Sequence, residues 1–454
     1  MGNLFGSLLS AGSAMRAFEK GLSTTQNNVV NASTPGYAKQ KQMFEAERFE
    51  PERNIIGGVA AKGLYNYRDA YSERNVQRRT SQAAIEQQRA NSLSSIEGLF
   101  PVSEGAGVPG AMNKFFNAFS QLTVSPNDAA GRQVALDRAS DLAFNFRRTS
   151  NFLADQRGST QVSVQSSISK INEIGGRIRD LNATRRGDSA TSADPGTDAK
   201  LFAALEELAE YVDFNAIQSP DSGVSIYLGG QALLVIGNRQ YPLSMDVLND
   251  KIRILDSDST EIGGELSSGK LIGLTDIYNN KIPSYLADLN TLAASFADTI
   301  NSTLSQGVDQ NGNTPLQDLF SYNGTLGAAF TININGISTD QLALSSPGET
   351  GGNSNAIAIT QLTKAPVLNN QTFNQFYGIA AGRVGRDLAS AKSSAGVQTD
   401  LLSQAKELRA SLQDVSLDEE AAQLIQYQRA FQATAQLFKT INEMTETIIN
   451  GLIR

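Results

Sequence analysis

Apolar residues at the N-terminal end of the chain recur in alternating steps of four and three: Leu4, Leu8, Ala11, Met15, Phe18, Leu22, Thr25, Val29 and Ala32. That spacing lays one stripe along a helix and suits it to lie against a second helix. The C-terminal end nearly repeats it with Leu417, Ala421, Leu424, Tyr427, Phe431, Ala435, Phe438, Ile441, Ile448 and Leu452. Such helices are marginal in water without tertiary support, and ordering their backbone is costly. The pattern predicts that the two ends pair in a coiled-coil-like manner, or that neighbouring subunits supply the missing surface, as in an assembly protein. Periodicity alone is also compatible with two core helices of one globule.

Between the ends the pattern alternates helical and strand-rich blocks. Helical spacing runs over residues 80–99, 110–123 and 127–186, with Met112, Phe115, Phe116, Phe119 and Leu122 on one face and Val164, Ile168, Ile171, Ile174, Ile178 and Leu181 on another. A Ser/Thr/Asp/Gly-rich run from Arg185 to Thr197 reads as a mobile linker before a helix over residues 198–211. Strands at 224–228 and 232–236 flank Gly229-Gly230-Gln231 as a hairpin, and residues 239–243 and 252–255 are expected to extend the same sheet. A helix starting near Pro283 carries Leu286, Leu289, Ala293, Phe296 and Ile300 and stops at Gly307. Short strands at 330–334 and 356–359 suggest a second small insertion or a loosely ordered surface excursion. Leu401, Ala405, Leu408, Leu412 and Val415 form one more stripe. Ser416 and Glu419 have capping-box spacing, and Asp418, Glu419 and Glu420 complement a helix dipole rather than serve as catalytic carboxylates.

The fold class expected is mainly α with β insertions: paired terminal helices, a long-helix bundle and one or two small β-rich inserted domains. The corresponding division is residues 1–45 with 414–454 as a terminal helical assembly domain, 46–211 with 280–306 and 374–413 as the bundle, 212–279 as a β-rich insertion and 307–373 as a second β/loop insertion.

The residues after the first stripe add a turn. Pro35 disfavours helical geometry at Thr34, Gly36 can take positive φ, and Asn31 is suited to bond nearby backbone, so the chain leaves the helix at a defined angle. The whole string from Asn27 to Tyr37, Asn-Asn-Val-Val-Asn-Ala-Ser-Thr-Pro-Gly-Tyr, followed by Ala-Lys-Gln, resembles the N-terminal signature of bacterial flagellar rod, hook and hook-associated axial proteins. The run from Val415 to Arg454, with Leu-Asp-Glu-Glu-Ala-Ala at 417–422, resembles the C-terminal counterpart and is most similar to the hook-associated members.

That resemblance implies a structural adaptor that forms the junction ring between hook and filament through coiled-coil packing of its terminal helices. The assembly interface it implies comprises Leu4, Leu8, Met15, Phe18, Leu22, Val29, Leu417, Leu424, Tyr427, Phe431, Phe438, Ile441, Ile448 and Leu452. The turn motif is Asn31, Thr34, Pro35, Gly36 and Tyr37. The implied partners are further copies of the chain in a ring, hook protein, a second hook–filament junction protein and a cytosolic export chaperone on the C-terminal helix. Secretion would follow the flagellar type III route, with an unfolded, uncleaved N-terminal segment. The alternatives are another axial component, hook or distal rod, or a secreted coiled-coil effector; a wall hydrolase would need an acid/base pair that no segment supplies.

Composition narrows the chemistry. In 454 residues there is no Cys, His or Trp, which excludes nucleophile–His triads, Cys–His pairs and ordinary zinc sites within the chain; no enzyme activity, cofactor or metal is expected. A net charge of −8 argues against a nucleic-acid surface, and the pairs Arg78-Arg79, Arg147-Arg148 and Arg185-Arg186 lack interleaved aromatics. No stretch approaches a membrane span, and the N-terminus lacks the basic and apolar regions of a signal peptide. Gly105, Gly107 and Gly110 match a dinucleotide motif only literally, with Pro109 inside. Asp309, Asn311 and Asn313 start like a calcium loop, but Thr314 holds the glycine position.

Overall fold

A computed structural model describes residues 2–53, 55–101, 103, 105–187, 194–219 and 223–452. The chain runs α1 (Gly2–Asn31), β1 (Gln40–Glu50), β2 (Ile55–Asn66), α2 (Ala70–Glu97), α3 (Gly107–Leu122), α4 (Ala129–Gly187) and α5 (Pro195–Tyr211). Six strands follow: β3 (Phe214–Ser219), β4 (Gly223–Leu228), β5 (Ala232–Ile236), β6 (Arg239–Gln240), β7 (Ser244–Leu248) and β8 (Lys251–Leu255). The remainder comprises α6 (Lys270–Asp276), a π-helical turn at Ile277–Lys281, α7 (Ile282–Ser305), β9 (Phe320–Ser321), α8 (Ala328–Thr331), β10 (Asn333–Ile334), α9 (Ser354–Gln361), α10 (Phe373–Gln413) and α11 (Leu417–Leu452). The fold is mainly α with small antiparallel β insertions, as expected.

Three layers follow from the burial pattern. In the first, α1 and α11 run together and the β1–β2 hairpin packs along α1. Residues 46–53 and 55–66, which the sequence pattern placed at the start of the bundle, belong to this hairpin. Its strands escape hydropathy reading because β1 buries Gln40 and Gln42 rather than apolar side chains. The Gln42 carboxamide compensates by donating to the carbonyls of Gly63 (2.9 Å) and Met43 (3.0 Å).

The second layer is the bundle. α2 and α10 pack antiparallel, since Glu73 meets Arg409 at one end while Phe100 meets Tyr377 at the other. Asp69 caps α2 through Ser72 N (2.7 Å), and Thr372 with Gln375 forms a capping box on α10. Phe115, Phe116, Phe119, Phe296, Phe320 and Phe373 cluster at the centre, with ring centroids 4.7–6.1 Å apart. Residues 307–373 do not form a second insertion: Leu319, Phe320, Ala328, Ile332, Leu342, Leu344, Ala356 and Ile359 lie in this same core. The expected strand at 356–359 is part of α9, and 330–334 joins the end of α8 to the two-residue β10. Arg132, 1 % exposed, ties the flank down by donating to the carbonyls of Pro126 (2.7 Å), Thr339 (2.9 Å) and Leu342 (2.9 Å).

The third layer is the β insertion. Strands β3, β4, β5 and β6 form one antiparallel sheet in that order, and the predicted β4–β5 hairpin turns at Gly229 and Gly230. Strand β8 does not extend it. It pairs with β7 across Asn249 and Asp250, both at positive φ (51° and 59°), the geometry of a two-residue primed turn that fixes a separate hairpin. The C-terminal half of α4 supplies Val164, Ile168, Ile171, Ile174 and Ile178 to this second core, while Leu142, Phe146 and Leu153 of the same helix lie in the bundle core. The expected linker starts later than its composition suggests, because α4 continues to Gly187; residues 188–193 lie outside the described residues, and Asp194 caps α5 through Thr197 N (2.8 Å).

Helix-borne asparagines fasten the extended segments. Each of Asn172, Asn182, Asn279 and Asn301 accepts from the N–H and donates to the C=O of one residue, respectively Leu243, Val224, Ile252 and Phe320, at 2.8–3.0 Å. A carboxamide presents the same donor and acceptor pair as a peptide unit, so it satisfies edge backbone as a neighbouring strand would. Asn182, fully buried, also donates to Gly237 O at 2.8 Å. In Asn182→Leu each orphaned backbone group should cost about 1–3 kcal/mol. Leu316→Ala, at a position 95 % exposed, should stay within about 0.5 kcal/mol. Chemical denaturation of both variants checks the clamp, and equal stabilities contradict it.

Candidate assembly interface and its polar latch

Small residues set how closely α1 and α11 approach. A Cβ at Gly12 would lie 3.8 Å from the Phe438 ring, and one at Gly21 would lie 3.1 Å from Phe44 and 3.2 Å from Tyr427. Asn28 in turn meets Glu420. Positions rise along α1 as they fall along α11, so the two helices are antiparallel. Around Gly21 the rings of Phe18, Phe44 and Tyr427 pack in sequence, with centroids 6.0 and 5.6 Å apart. Phe44 comes from the hairpin and was not anticipated.

The predicted interface residues divide by burial. Leu4, Leu8, Met15, Phe18 and Leu22 of α1, and Leu424, Tyr427, Phe431, Phe438 and Ile441 of α11, are half-buried, while Val29, Leu417 and Ile448 are exposed. The side chain of Leu452 lies outside the described residues. Ala11, Ala17, Gly21, Thr25 and Asn28 are the buried positions of α1 among the described residues. Phe5, Leu9 and Val30, with Ile425, Leu437, Met444 and Ile449, add an exposed apolar surface that the helix pair leaves uncovered.

A buried polar latch closes the pair next to the turn. Asn28, 1 % exposed, uses all four of its hydrogen-bonding positions. It donates to Glu420 Oε2 (2.9 Å) and Gln40 O (2.7 Å), and accepts from Tyr37 Oη (2.8 Å) and Gln40 N (3.0 Å). Lys39 Nζ lies 3.3 Å from Glu420 Oε1 and 2.7 Å from Glu419 Oε2. The expectation that Glu420 only complements the helix dipole is therefore corrected: its side chain is fully buried and paired, because the helix turns it towards α1. Glu419 N approaches Ser416 Oγ at 3.5 Å, but the Glu419 carboxylate goes to Lys39, so the capping box is only half made. Burial alone would lower the Lys39 ammonium; the two glutamates outweigh it and hold it above its usual value. Burial, then the charge of Glu420, push the Tyr37 hydroxyl up to about 12.

The turn motif contributes from both sides. Thr34 N bonds Asn31 O (2.9 Å), Tyr37 N bonds Thr34 O (3.1 Å), and Asn31 Nδ2 bonds Asn27 O (2.9 Å). Thr34 and Pro35 are exposed, and Gly36 takes φ +75° as required. Beyond it, Lys39 N bonds Gln413 O (2.8 Å), which joins the turn to the end of α10.

The segments match known proteins. The family model described as "Flagellar hook-associated protein FlgK helical domain" matches residues 93–320, half of the chain, from the end of α2 through β9. The chain belongs to the FlgK family. The C-terminal segment of flagellar basal body rod FlgEFG proteins also matches residues 411–451, the latch side of the pair. Among curated FlgK-family relatives, flagellar hook-associated protein 1 of Bacillus subtilis is 25 % identical over 100 % of this chain and 99 % of its own length. That of Salmonella typhimurium is 22 % identical over 96 % and 98 %. The solved structure of the flagellar hook junction protein FlgK from Burkholderia pseudomallei shares the fold, with a TM-score of 0.66 at 15 % identity over 76 % of this chain and 100 % of that one. As a FlgK-family member, the chain is a structural component of the bacterial flagellum at its hook junction.

Removing one side of the latch should be costly. Lys39→Met leaves Glu420 buried without its cation and should destabilise the terminal layer by about 3–5 kcal/mol, whereas Lys39→Met with Glu420→Leu should recover most of that loss. Denaturation of the single and double variants measures the coupling, and additive losses would show that the residues act independently. Tyr37 and Lys39 both bind their protons more tightly when folded, so their contribution is complete below about pH 10 and is lost as pH rises towards 12 and beyond. Circular dichroism should show helix loss in that range, and less of it in Tyr37→Phe; identical titrations contradict the assignment.

Proposed function

We propose that the chain is an exported structural adaptor that forms the ring between hook and filament, through coiled-coil packing of its terminal helices. The observation that carries this reading is the surface of the α1–α11 pair. The large stripe residues Phe18, Leu22, Leu424, Phe431 and Phe438 are only half-buried in one chain, and Phe5, Leu9, Ile425, Leu437 and Met444 are exposed beside them. An apolar surface of this kind marks a protein interface, and a neighbouring copy in a ring would cover it. The terminal segments, 1–45 and 414–454, are then the inner assembly layer, and the bundle and the 212–279 insertion project outwards from the turn at Asn31–Tyr37.

On this reading the partners are further copies of the chain, hook protein on one side, a second junction protein on the other and, before export, a cytosolic chaperone shielding the apolar face of α11. The role is mechanical and needs no cofactor. Among the described residues no group of acidic side chains could hold a metal ion, and no helix is long and apolar enough to cross a membrane. The match of residues 411–451 to rod-type C-terminal segments keeps one second reading, an axial component spread along hook or rod.

Immunogold labelling of intact flagella with antibody against residues 224–255 separates the two. The junction reading predicts one tight band where hook meets filament; label along the hook contradicts it. Leu424→Glu and Phe431→Asp should be made and exported but missing from purified hook–filament junctions by immunoblot, and normal incorporation of either would overturn the interface.

A further inference from the structure

Between the terminal layer and the bundle the chain crosses twice, through residues 67–69 and through residues 414–416. Two short covalent links without further contacts would let the two layers swivel. A buried ionic cluster occupies that position, with Arg68 at its centre. Arg68 Nη2 donates to Gly36 O (2.6 Å), Nη1 to Glu73 Oε1 (2.6 Å) and Nε to Asp198 Oδ2 (3.1 Å). The guanidinium also lies over the Phe202 ring, 3.8 Å from its centroid. One side chain therefore touches the turn of the terminal layer, the head of α2 and α5.

The surroundings hold the cluster from α2, α5 and α10. The side chains of Arg68, Glu73 and Asp198 are only 8 %, 4 % and 8 % exposed. Glu73 is held from α10 by Gln413 Nε2 (2.8 Å) and Arg409 Nη1 (3.3 Å). Arg409 also pairs with Glu206 of α5 (2.7 Å), which Lys406 reaches at 2.9 Å. Gln413 Oε1 accepts from Asp69 N (3.1 Å). At the turn itself, a Cβ on Gly36 would lie 2.3 Å from Ala199 O and 2.8 Å from Ala203 N, so the backbone rests directly on α5.

We propose that Arg68 is the positioning residue that locks the angle between the terminal helix pair and the helical bundle, converting two short crossings into one rigid elbow. Any swing of the terminal layer draws Gly36 off α5 and pulls the buried Arg68 guanidinium from its acceptors. Charged clusters of this kind favour one discrete arrangement over a continuum of angles. A stiff elbow transmits torque only if the chain sits in the junction as proposed above; the locked angle itself does not depend on that role.

The absence of cysteine allows a direct test in the full chain. Spin labels on Gln432→Cys in α11 and Ser166→Cys in α4, read by pulsed electron–electron double resonance, report the inter-layer distance. Labels on Asn91→Cys and Ser166→Cys report the bundle alone. The expected result is one narrow inter-layer distance in the otherwise native chain. In Arg68→Met that single peak is lost, while the bundle pair stays narrow. Should Arg68→Met disturb the bundle pair, Arg68→Lys, which keeps the charge but cannot reach all three acceptors, decides in its place. A narrow inter-layer peak retained in the folded variant, or a broad one in the native chain, overturns the proposal.

Discussion

A carboxylate buried between two helices must find partners or be neutralised, and at Glu420 this constraint organises the terminal layer. Its partners are Asn28 from α1 and Lys39 from beyond the turn. Asn28 is saturated by Glu420, Tyr37 and both backbone groups of Gln40, so a shift of α11 by one helical turn would orphan the Glu420 charge and one N–H of the Asn28 amide together. The aromatic contacts around Gly21 tolerate small displacements, but the latch does not. It also fixes where β1 begins, because the bonds to Gln40 start the hairpin that brings Phe44 against Phe18 and Tyr427.

The same use of asparagine recurs throughout the molecule. Asn28 grips Gln40 as Asn182, Asn279 and Asn301 grip their own strand residues, and as Asn172 grips Leu243 just before β7, each supplying with a carboxamide the donor and acceptor of a sheet neighbour. This lets small sheets with few strands attach firmly to helices. The 59 residues of α4 then carry that attachment across both cores, so the β insertion and the bundle share one rigid element. The π-helical turn at Ile277–Lys281 carries Asn279, the clamp on β8, at the point where α6 passes into α7.

Periodicity made α1, α3, α4, α7 and α11 legible, because each keeps an apolar stripe over several turns, but it caught α2 only from residue 80 and α10 only by the stripe from Leu401; the Gly229-Gly230 hairpin was legible because few other residues allow that turn. The turn at Pro35-Gly36 was readable as a change of direction, but nothing in its composition says that Gly36 rests on α5. Strand β1 was hidden because its inward positions are glutamines, and the 307–373 flank because its core residues come from very short elements. Arg68, Glu73, Asp198 and Arg409 carry no spacing signal, since they are brought together from three distant segments. Glu420 was misjudged for a related reason: its own helix explains a negative charge there, and only the opposing helix shows that the charge is buried.

A cryo-electron microscopy reconstruction of isolated hook–filament junctions tests the central claim most directly. The account predicts α1 and α11 antiparallel in every subunit, with Asn28 hydrogen-bonded to Glu420 and Lys39 beside it, and with the exposed faces of the pair covered by neighbouring copies. Terminal helices that lie apart, or a Glu420 side chain open to solvent in the assembled ring, would contradict it.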